Sequence, residues 1–266
     1  METWDSGKLT INKSFADLLR RRGWLTFDSI WTDTANAAIA KKVRTDRMTL
    51  RFALDDQGVE RAFYIKRHGK SSLKEYIKPL LRLTWPILGA RNEWLALLDF
   101  HQVGLPTMTP VALGESQANS FLITESLENC TKLSELVKTP ESHGGMSAED
   151  RARLIHDIAL IARKMHAAGL HHQDFYLGHL LRAHSDHRKI YVIDLGRVQK
   201  RARLSRRWII KDLAQLDYSA SATATERLQF LREYLGRRLT AADRSLVNHI
   251  RLKAAAIARH SRKNEL

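Results

Sequence analysis

A chain of 266 residues with 44% apolar side chains, six Trp and no low-complexity stretch excludes a disordered protein and can bury a sizeable core. Lys and Arg number 44 against 29 Asp and Glu, a net charge of +15, which favours a polyanionic partner (nucleic acid, anionic lipid, nucleotide or phosphorylated substrate) without choosing among them. The single cysteine, Cys130, excludes an internal disulfide framework; no secretory pattern opens the chain and no run reaches the roughly 18 apolar residues of a spanning helix, so a cytoplasmic protein is expected.

Residues 1–36 read as an N-terminal extension. Phe15, Leu18 and Leu19 make a short helical stripe, followed by Arg20-Arg21-Arg22 as a solvated helix end or an anion contact, and by a Gly23 stop. From Ala37 the pattern turns to strand. Met48–Phe52 and Ala62–Ile65 flank the turn residues Asp55-Asp56-Gln57-Gly58, and Lys66 ends the second apolar run. Where a glycine-rich phosphate loop would belong, Arg44-Thr45-Asp46-Arg47 has no glycine. Ser71–Thr84 is amphipathic and basic, interrupted by Pro79, and reads as a surface helix or a membrane-docking segment. A helix is expected over 90–103, with Trp94, Leu97, Leu98 and Phe100 on its core face and Gly104 as its stop. Glu93 in its first turn suits the helix dipole and is also a candidate ion-pair partner for Lys66. Val111–Gly114 and Phe121–Thr124 complete a small sheet. Glu125-Ser126-Leu127 then stands where a hinge between lobes would offer its backbone to an adenine edge. These features place one lobe over 37–124 and a second over 125–266.

In the second lobe Ser147–Asp150 resembles a capping box opening a helix whose Leu154, Ile155, Ile158, Ile161, Ala162 and Met165 share one face, closed by Gly169. That helix leads into His171-His172-Gln173-Asp174. His179 stands five residues after Asp174, and after a polar turn the apolar run Ile190–Ile193 ends in Asp194-Leu195-Gly196. A His-x-Asp loop, a short strand, a turn and a strand ending in Asp is the arrangement of a kinase catalytic centre. Asp174 is then the base that receives the acceptor hydroxyl's proton, and Asp194 with His179 takes the metal positions. Lys66 meets the nucleotide phosphates, Glu93 positions Lys66, and His172 supports the loop. Imidazole is a less natural magnesium ligand than an amide oxygen, which leaves His179 free for a phosphate hydrogen bond instead. Asp212, in Lys211-Asp212-Leu213, reads either as a helix cap or as a brace that accepts N–H groups of the catalytic loop. The span from Asp194 to Asp212 is too short for a peptide-binding activation segment, which favours a small or lipid-borne acceptor. His171, His172, His179 and His184 lack the second ligand pair of a zinc site. The chain beyond about Arg206 reads as basic helices.

Several stretches resemble the lipopolysaccharide kinases of the core-heptose type. They are Pro86–Trp94, Thr107-Met108, Met165–Gly169, the His172–Leu181 loop, Val192–Leu195 with Arg197, and Arg207-Trp208 with Lys211–Leu213. The resemblance covers roughly residues 40–240. It implies an α+β, two-lobed protein-kinase-like fold with a small, mainly antiparallel β lobe carrying one key helix and a larger helical lobe. It implies transfer of phosphate from ATP, with Mg2+, to an inner-core sugar, heptose I first, by an enzyme peripheral on the cytoplasmic face of an inner membrane. It also carries His at the position of His179. Gln173 stands in place of an Arg, Gly178 of a Cys and Gly196 of a His, which leaves the acceptor sugar open. The implied partners are the lipid A-linked core oligosaccharide and an anionic membrane, with room for a small acidic protein and little reason to expect nucleic acid. The other readings are a small-molecule or tRNA-linked kinase of the same fold, and a non-catalytic basic scaffold.

Overall fold

The computed structural model describes residues 1–35, 37–44, 47–69, 89–117, 119–137 and 146–264. The basic segment 71–84, Pro86–Leu88, the turn residues Thr45 and Asp46, and most of the loop expected over 139–146 lie outside the described residues. The chain forms two compact units, residues 1–98 with 108–128, and residues 99–107 with 129–266.

In the first unit an antiparallel sheet has the order β1 (Glu2–Trp4), β2 (Leu9–Ile11), β6 (Pro110–Ser116), β7 (Asn119–Glu125), β5 (Val59–His68), β4 (Arg47–Asp56) and β3 (Ala37–Arg44). The β4–β5 hairpin closes on Gln57 and Gly58, both with positive φ (59° and 86°), the conformation whose twist matches that of the flanking strands. Along β5 burial alternates with period two: Phe63, Ile65 and Arg67 face the core and Lys66 points the other way. Helix α3 (Arg91–Gln102) leaves the unit at its C-terminal end.

Residues 1–36, read from the sequence as an N-terminal extension, fall within the first compact unit. Strands β1 and β2 extend the sheet beside β6. Helices α1 (Ala16–Arg22) and α2 (Phe27–Thr32) place Phe15, Leu18, Leu19, Trp24, Phe27 and Ile30 in one buried cluster with Phe52, Phe63, Ile65 and Phe121. Trp24 meets Phe52 edge-on at 5.3 Å and Phe15 meets Phe63 at 6.0 Å. The change of pattern at Ala37 marks a change from helix to strand, and the large apolar residues of the two short helices are buried on that sheet. The arginine run is structural: Arg20 pairs with Asp17, Arg21 with Asp56 and Arg22 with Asp33, at 2.6–2.8 Å.

The second unit is mainly helical. It contains β8 (Cys130–Lys132), α4 (Leu133–Leu136), α5 (Ala148–Ala167), β9 (Leu170–His171), β10 (Leu180–Ala183), β11 (Ile190–Val192), β12 (Gln199–Lys200), α6 (Arg206–Ser219), α7 (Ala224–Leu235) and α8 (Arg244–Asn264). Helix α5 packs on α7, and α6 on α8. Ser147 caps α5 by accepting the Asp150 N–H at 3.0 Å. Two short antiparallel sheets, β8–β10–β11 and β9–β12, hold the loops that follow α5. Gly169 makes the β9–β12 pairing possible: its φ is +75°, and a Cβ there would stand 2.1 Å from the Arg201 carbonyl oxygen. Among the described residues no helix is long and apolar enough to cross a membrane.

Candidate active site

In the first unit, register and period bring together two of the residues singled out above. Lys66, on the outward face of β5, donates to Glu93 of α3 at 2.6 Å. The Glu93 side chain is 5% exposed and that of Lys66 27%, so the ammonium is half-buried on a carboxylate that has little other solvation. At the end of β7, Glu125 turns its side chain to Arg61 (2.6 and 3.0 Å) and its N–H to the Thr109 carbonyl at 3.0 Å. Its carboxylate is therefore taken, and Leu127 follows it half-buried.

The second unit holds the His172–Asp174 loop in a strained but heavily tethered conformation. Gln173, between His172 and Asp174, has φ +71°, rare for a residue with a side chain. Side chains of α6 hold the backbone on both sides of it. Asp212 accepts the His172 N–H at 2.7 Å on one oxygen and the Gln173 N–H at 2.9 Å on the other. Gln215 donates to the Gln173 carbonyl at 2.6 Å and accepts the Phe175 N–H at 3.0 Å, and Ser219 accepts the Leu177 N–H at 2.9 Å. The Gln173 side chain donates to the Arg197 carbonyl at 2.8 Å.

Asp212 lies in the second turn of α6, so it does not cap the helix. It is fully buried. Burial by itself would raise its pKa, but the hydrogen bond and charge of His166 and the His172 N–H prevail and hold the carboxyl below its ordinary range. His166 joins it at 3.3 Å and meets the Tyr234 hydroxyl at 2.9 Å on its other nitrogen. Desolvation pushes the Tyr234 hydroxyl upward and keeps it neutral.

Two histidine tautomers follow from what their partners can do. His172 receives the Asp174 N–H on Nδ1 at 3.3 Å, so Nε2 carries the proton and donates to the Ile193 carbonyl at 3.0 Å. Burial holds this ring neutral by lowering its pKa. His179 donates from Nδ1 to the Asp174 carbonyl at 2.7 Å, and its Nε2 stands 3.6 Å from Asp194 Oδ2. A ring whose second nitrogen is fixed by a carbonyl is oriented as metal-ligating histidines are. Asp194 itself has positive φ (59°) and a side chain 56% exposed. Among the described residues no group of three or more His, Cys, Asp or Glu is placed to hold a metal. The Asp194 carboxylate nonetheless fits magnesium, which takes few protein ligands and completes its shell with phosphate and water oxygens, whereas the His179 imidazole suits it less.

The base candidate Asp174 has a cation on it that the motif reading assigned no role. Arg197 Nη1 lies 2.9 and 3.0 Å from the two carboxylate oxygens. Gln215 and Ser219 went unnoticed as well, although Asp212, Gln215 and Ser219 are spaced to share one face of a helix, a polar line on an otherwise buried surface. His166, in the last turn of α5, has no feature in the sequence that distinguishes it from a helix-end cation.

With this geometry in view, similarity to known proteins identifies the chain. The lipopolysaccharide kinase (Kdo/WaaP) family model matches residues 29–234. The chain belongs to that family. The lipopolysaccharide core heptose(I) kinase WaaP of Escherichia coli (strain K12) is 34% identical over 252 residues, 87% of this chain and 91% of the relative. Among solved structures, WaaP in complex with acyl carrier protein aligns with a TM-score of 0.67 at 28% identity, over 97% of this chain and 98% of that one. An aminoglycoside-3'-phosphotransferase of type VIII aligns with a TM-score of 0.50 at 15% identity over 90% of this chain and 98% of that one, a likeness of fold. This member of the lipopolysaccharide kinase family is thus a phosphotransferase with a protein-kinase-like, mixed α and β fold.

Proposed function

We propose that the chain transfers the γ-phosphoryl group of ATP to a hydroxyl of an inner-core heptose of lipopolysaccharide, heptose I first. The observation that carries this reading is the tethered His172–Asp174 loop with Asp194 facing His179, in a chain 34% identical to a heptose(I) kinase. Phosphoryl transfer demands position and neutralised charge more than covalent chemistry. Asp174 orients the acceptor hydroxyl and takes its proton as the new O–P bond forms, with Arg197 fixing the carboxylate's orientation. Lys66, held by the buried Glu93, neutralises nucleotide phosphate. Asp194 and His179 are the residues to hold Mg2+, which supplies further neutralisation on the phosphates. Glu125 to Leu127 serves the adenine through backbone alone. Lys66, Glu93, Asp174 and Asp194 together disfavour the reading as a non-catalytic scaffold.

A small acidic carrier protein is a proposed partner. In the second unit α5, α6, α7 and α8 line an open cavity of about 1120 Å3 whose walls are mainly apolar, with Leu154, Ile155, Ile158, Phe230, Leu231 and Ile250 among them and charged residues such as Arg151 and Glu226 also present. Pockets for small molecules run to about 300–1,000 Å3. A mainly apolar cavity slightly above that range suits an acyl chain, and one relative was solved with acyl carrier protein. The net charge of +15 favours both such a partner and peripheral contact with an anionic inner membrane on its cytoplasmic face.

The test is an acceptor panel. Purified protein with ATP and Mg2+ is expected to phosphorylate dephosphorylated core oligosaccharide, and not RNA, peptide or aminoglycoside. Transfer to one of those others in preference overturns the heptose reading.

A further inference from the structure

Trp208, in the first turn of α6, is the centre of a cation cluster next to the catalytic loop. Its buried indole stacks on His171 at 4.4 Å. The Arg207 guanidinium lies 4.5 Å from the ring centroid, that of Arg201 5.4 Å and the Lys211 ammonium 5.5 Å. Among the described residues no carboxylate lies within ion-pair distance of these three, whereas Arg151, Arg197, Arg227 and Arg237 each hold one. Cation–π attraction, about 0.5–2 kcal/mol per contact, offsets only part of the mutual repulsion of three like charges. At Lys211 burial first, then the charge of Arg197, lowers the pKa, with Asp174 and Asp212 acting against them. The helix adds the same sign, since its first turn has no acidic residue and Ser205 makes no side-chain cap.

The cluster reaches the reaction through one contact and opens to solvent through another residue. Lys211 Nζ approaches Gln173 Oε1 at 3.5 Å, one residue before Asp174, and Arg207 is exposed. His171, beneath the indole, has a buried Nδ1 without a hydrogen-bond partner, while its Nε2 faces Arg201 at 3.4 Å. Positive charge gathered with no carboxylate in direct ion-pair contact, and with only the more distant Asp174 and Asp212 opposing it at Lys211, is an arrangement that an anion relieves.

We propose that Arg201, Arg207 and Lys211 form a docking site for a carboxylate or phosphate group carried by the acceptor saccharide near the hydroxyl that is phosphorylated. This rests on reading the chain as a sugar kinase and adds a substrate requirement to it: the acceptor must itself be anionic. The site selects acceptors; Asp174 and the metal ligands perform the transfer.

Steady-state kinetics on core oligosaccharide tests the site. Arg207→Ala, and Arg207→Ala with Lys211→Met, are expected to raise the acceptor KM about ten- to hundredfold, the range for losing charge-assisted hydrogen bonds, and to leave the KM for ATP where it was. Acceptors with their carboxylates reduced, or their remaining phosphates removed, distinguish the two anion sources. The modification that deletes the recognised group should raise the wild-type KM by a similar factor, and Arg207→Ala should then add nothing. The proposal is overturned if both variants keep the wild-type acceptor KM, if they weaken native and neutralised acceptors equally, or if the ATP KM moves instead. Should the double variant fail to fold, the exposed Arg207→Ala decides alone. Calorimetric binding of the oligosaccharide without ATP separates this claim from the one it rests on. Binding that depends on Arg207 with no phosphate transfer keeps the docking site and removes the kinase reading; transfer with binding indifferent to Arg207 does the reverse.

Discussion

Replacing Asp212 with Asn is the sharpest perturbation of the catalytic loop, because it changes one atom in a fully buried group. The carboxylate's two oxygens serve three donors: His172 N–H and His166 Nε2 on one, Gln173 N–H on the other. An amide has a single acceptor oxygen. Whichever way Asn is turned, its NH2 group meets a backbone N–H, that of His172 or that of Gln173. The orphaned buried N–H costs about 1–3 kcal/mol, and the surviving contacts fall from about 1.5–3 kcal/mol each to roughly 1. The total is on the order of 3–5 kcal/mol, a large part of the stability of an ordinary domain. The same contacts hold Gln173 at φ +71°, so part of that energy is released as movement of the loop, and Asp174 moves with it. A displacement of about 1 Å at a reacting group lowers turnover roughly a hundredfold. Guanidinium-chloride unfolding and acceptor-dependent kcat measure the two effects. A variant that loses less than about 1 kcal/mol and keeps kcat within about threefold would refute the reasoning, since charge and two-oxygen geometry would then not matter.

Three further outcomes follow from particular residues. Glu93→Gln removes the charge that fixes Lys66 at 2.6 Å and leaves a half-buried ammonium without its carboxylate, so the KM for ATP should rise about tenfold or more; an unchanged value in a folded variant contradicts the pairing role. Gly169→Ala puts a methyl 2.1 Å from the Arg201 carbonyl at a φ of +75°, so β9 and β12 must separate; the expected cost is at least about 1–2 kcal/mol from backbone conformation alone, read as a lower melting temperature. Stability should also fall on acidification from neutral pH. Burial pushes His171 down to about 4 from 6.5, so between those values the unfolded chain takes up a proton that the folded chain refuses, a loss on the order of 3 kcal/mol that is complete near pH 4. The buried His172 acts in the same direction. Asp212 adds to the loss in a lower window: its lowered pKa stabilises the fold above about pH 4, and that contribution disappears as pH falls through the folded value. Unfolding curves at pH 7.5 and 5 test this, and a flat profile in that interval contradicts it.

The parts of this protein legible in its sequence are those where a short stretch carries the information. The β4–β5 hairpin, the Gly23 and Gly104 stops and the Ser147 cap are local, and spacing reveals them. The Lys66–Glu93 approach was readable because β5 and α3 each offer one charged residue at a distinctive position. Tertiary facts were harder. Residues 1–36 join the core of the first unit because the faces of β4, β5 and β7 must be covered, which nothing in that segment announces. Arg197 reads as an ordinary basic residue after a metal strand, and only the fold shows its Nη1 on both oxygens of Asp174. The cations around Trp208 come from a β strand's end and from one helix, and sequence alone cannot show that three of them share one ring.

The most direct test of the account is the pair Asp174→Asn and wild type, compared for phosphate transfer to core oligosaccharide and for binding of ATP with Mg2+. Transfer should fall by a factor of about a thousand or more, with the nucleotide dissociation constant within about threefold of wild type, because Asp174 acts on the acceptor hydroxyl and contributes little to holding the nucleotide. An Asp174→Asn protein that transfers phosphate at the wild-type rate would contradict the account.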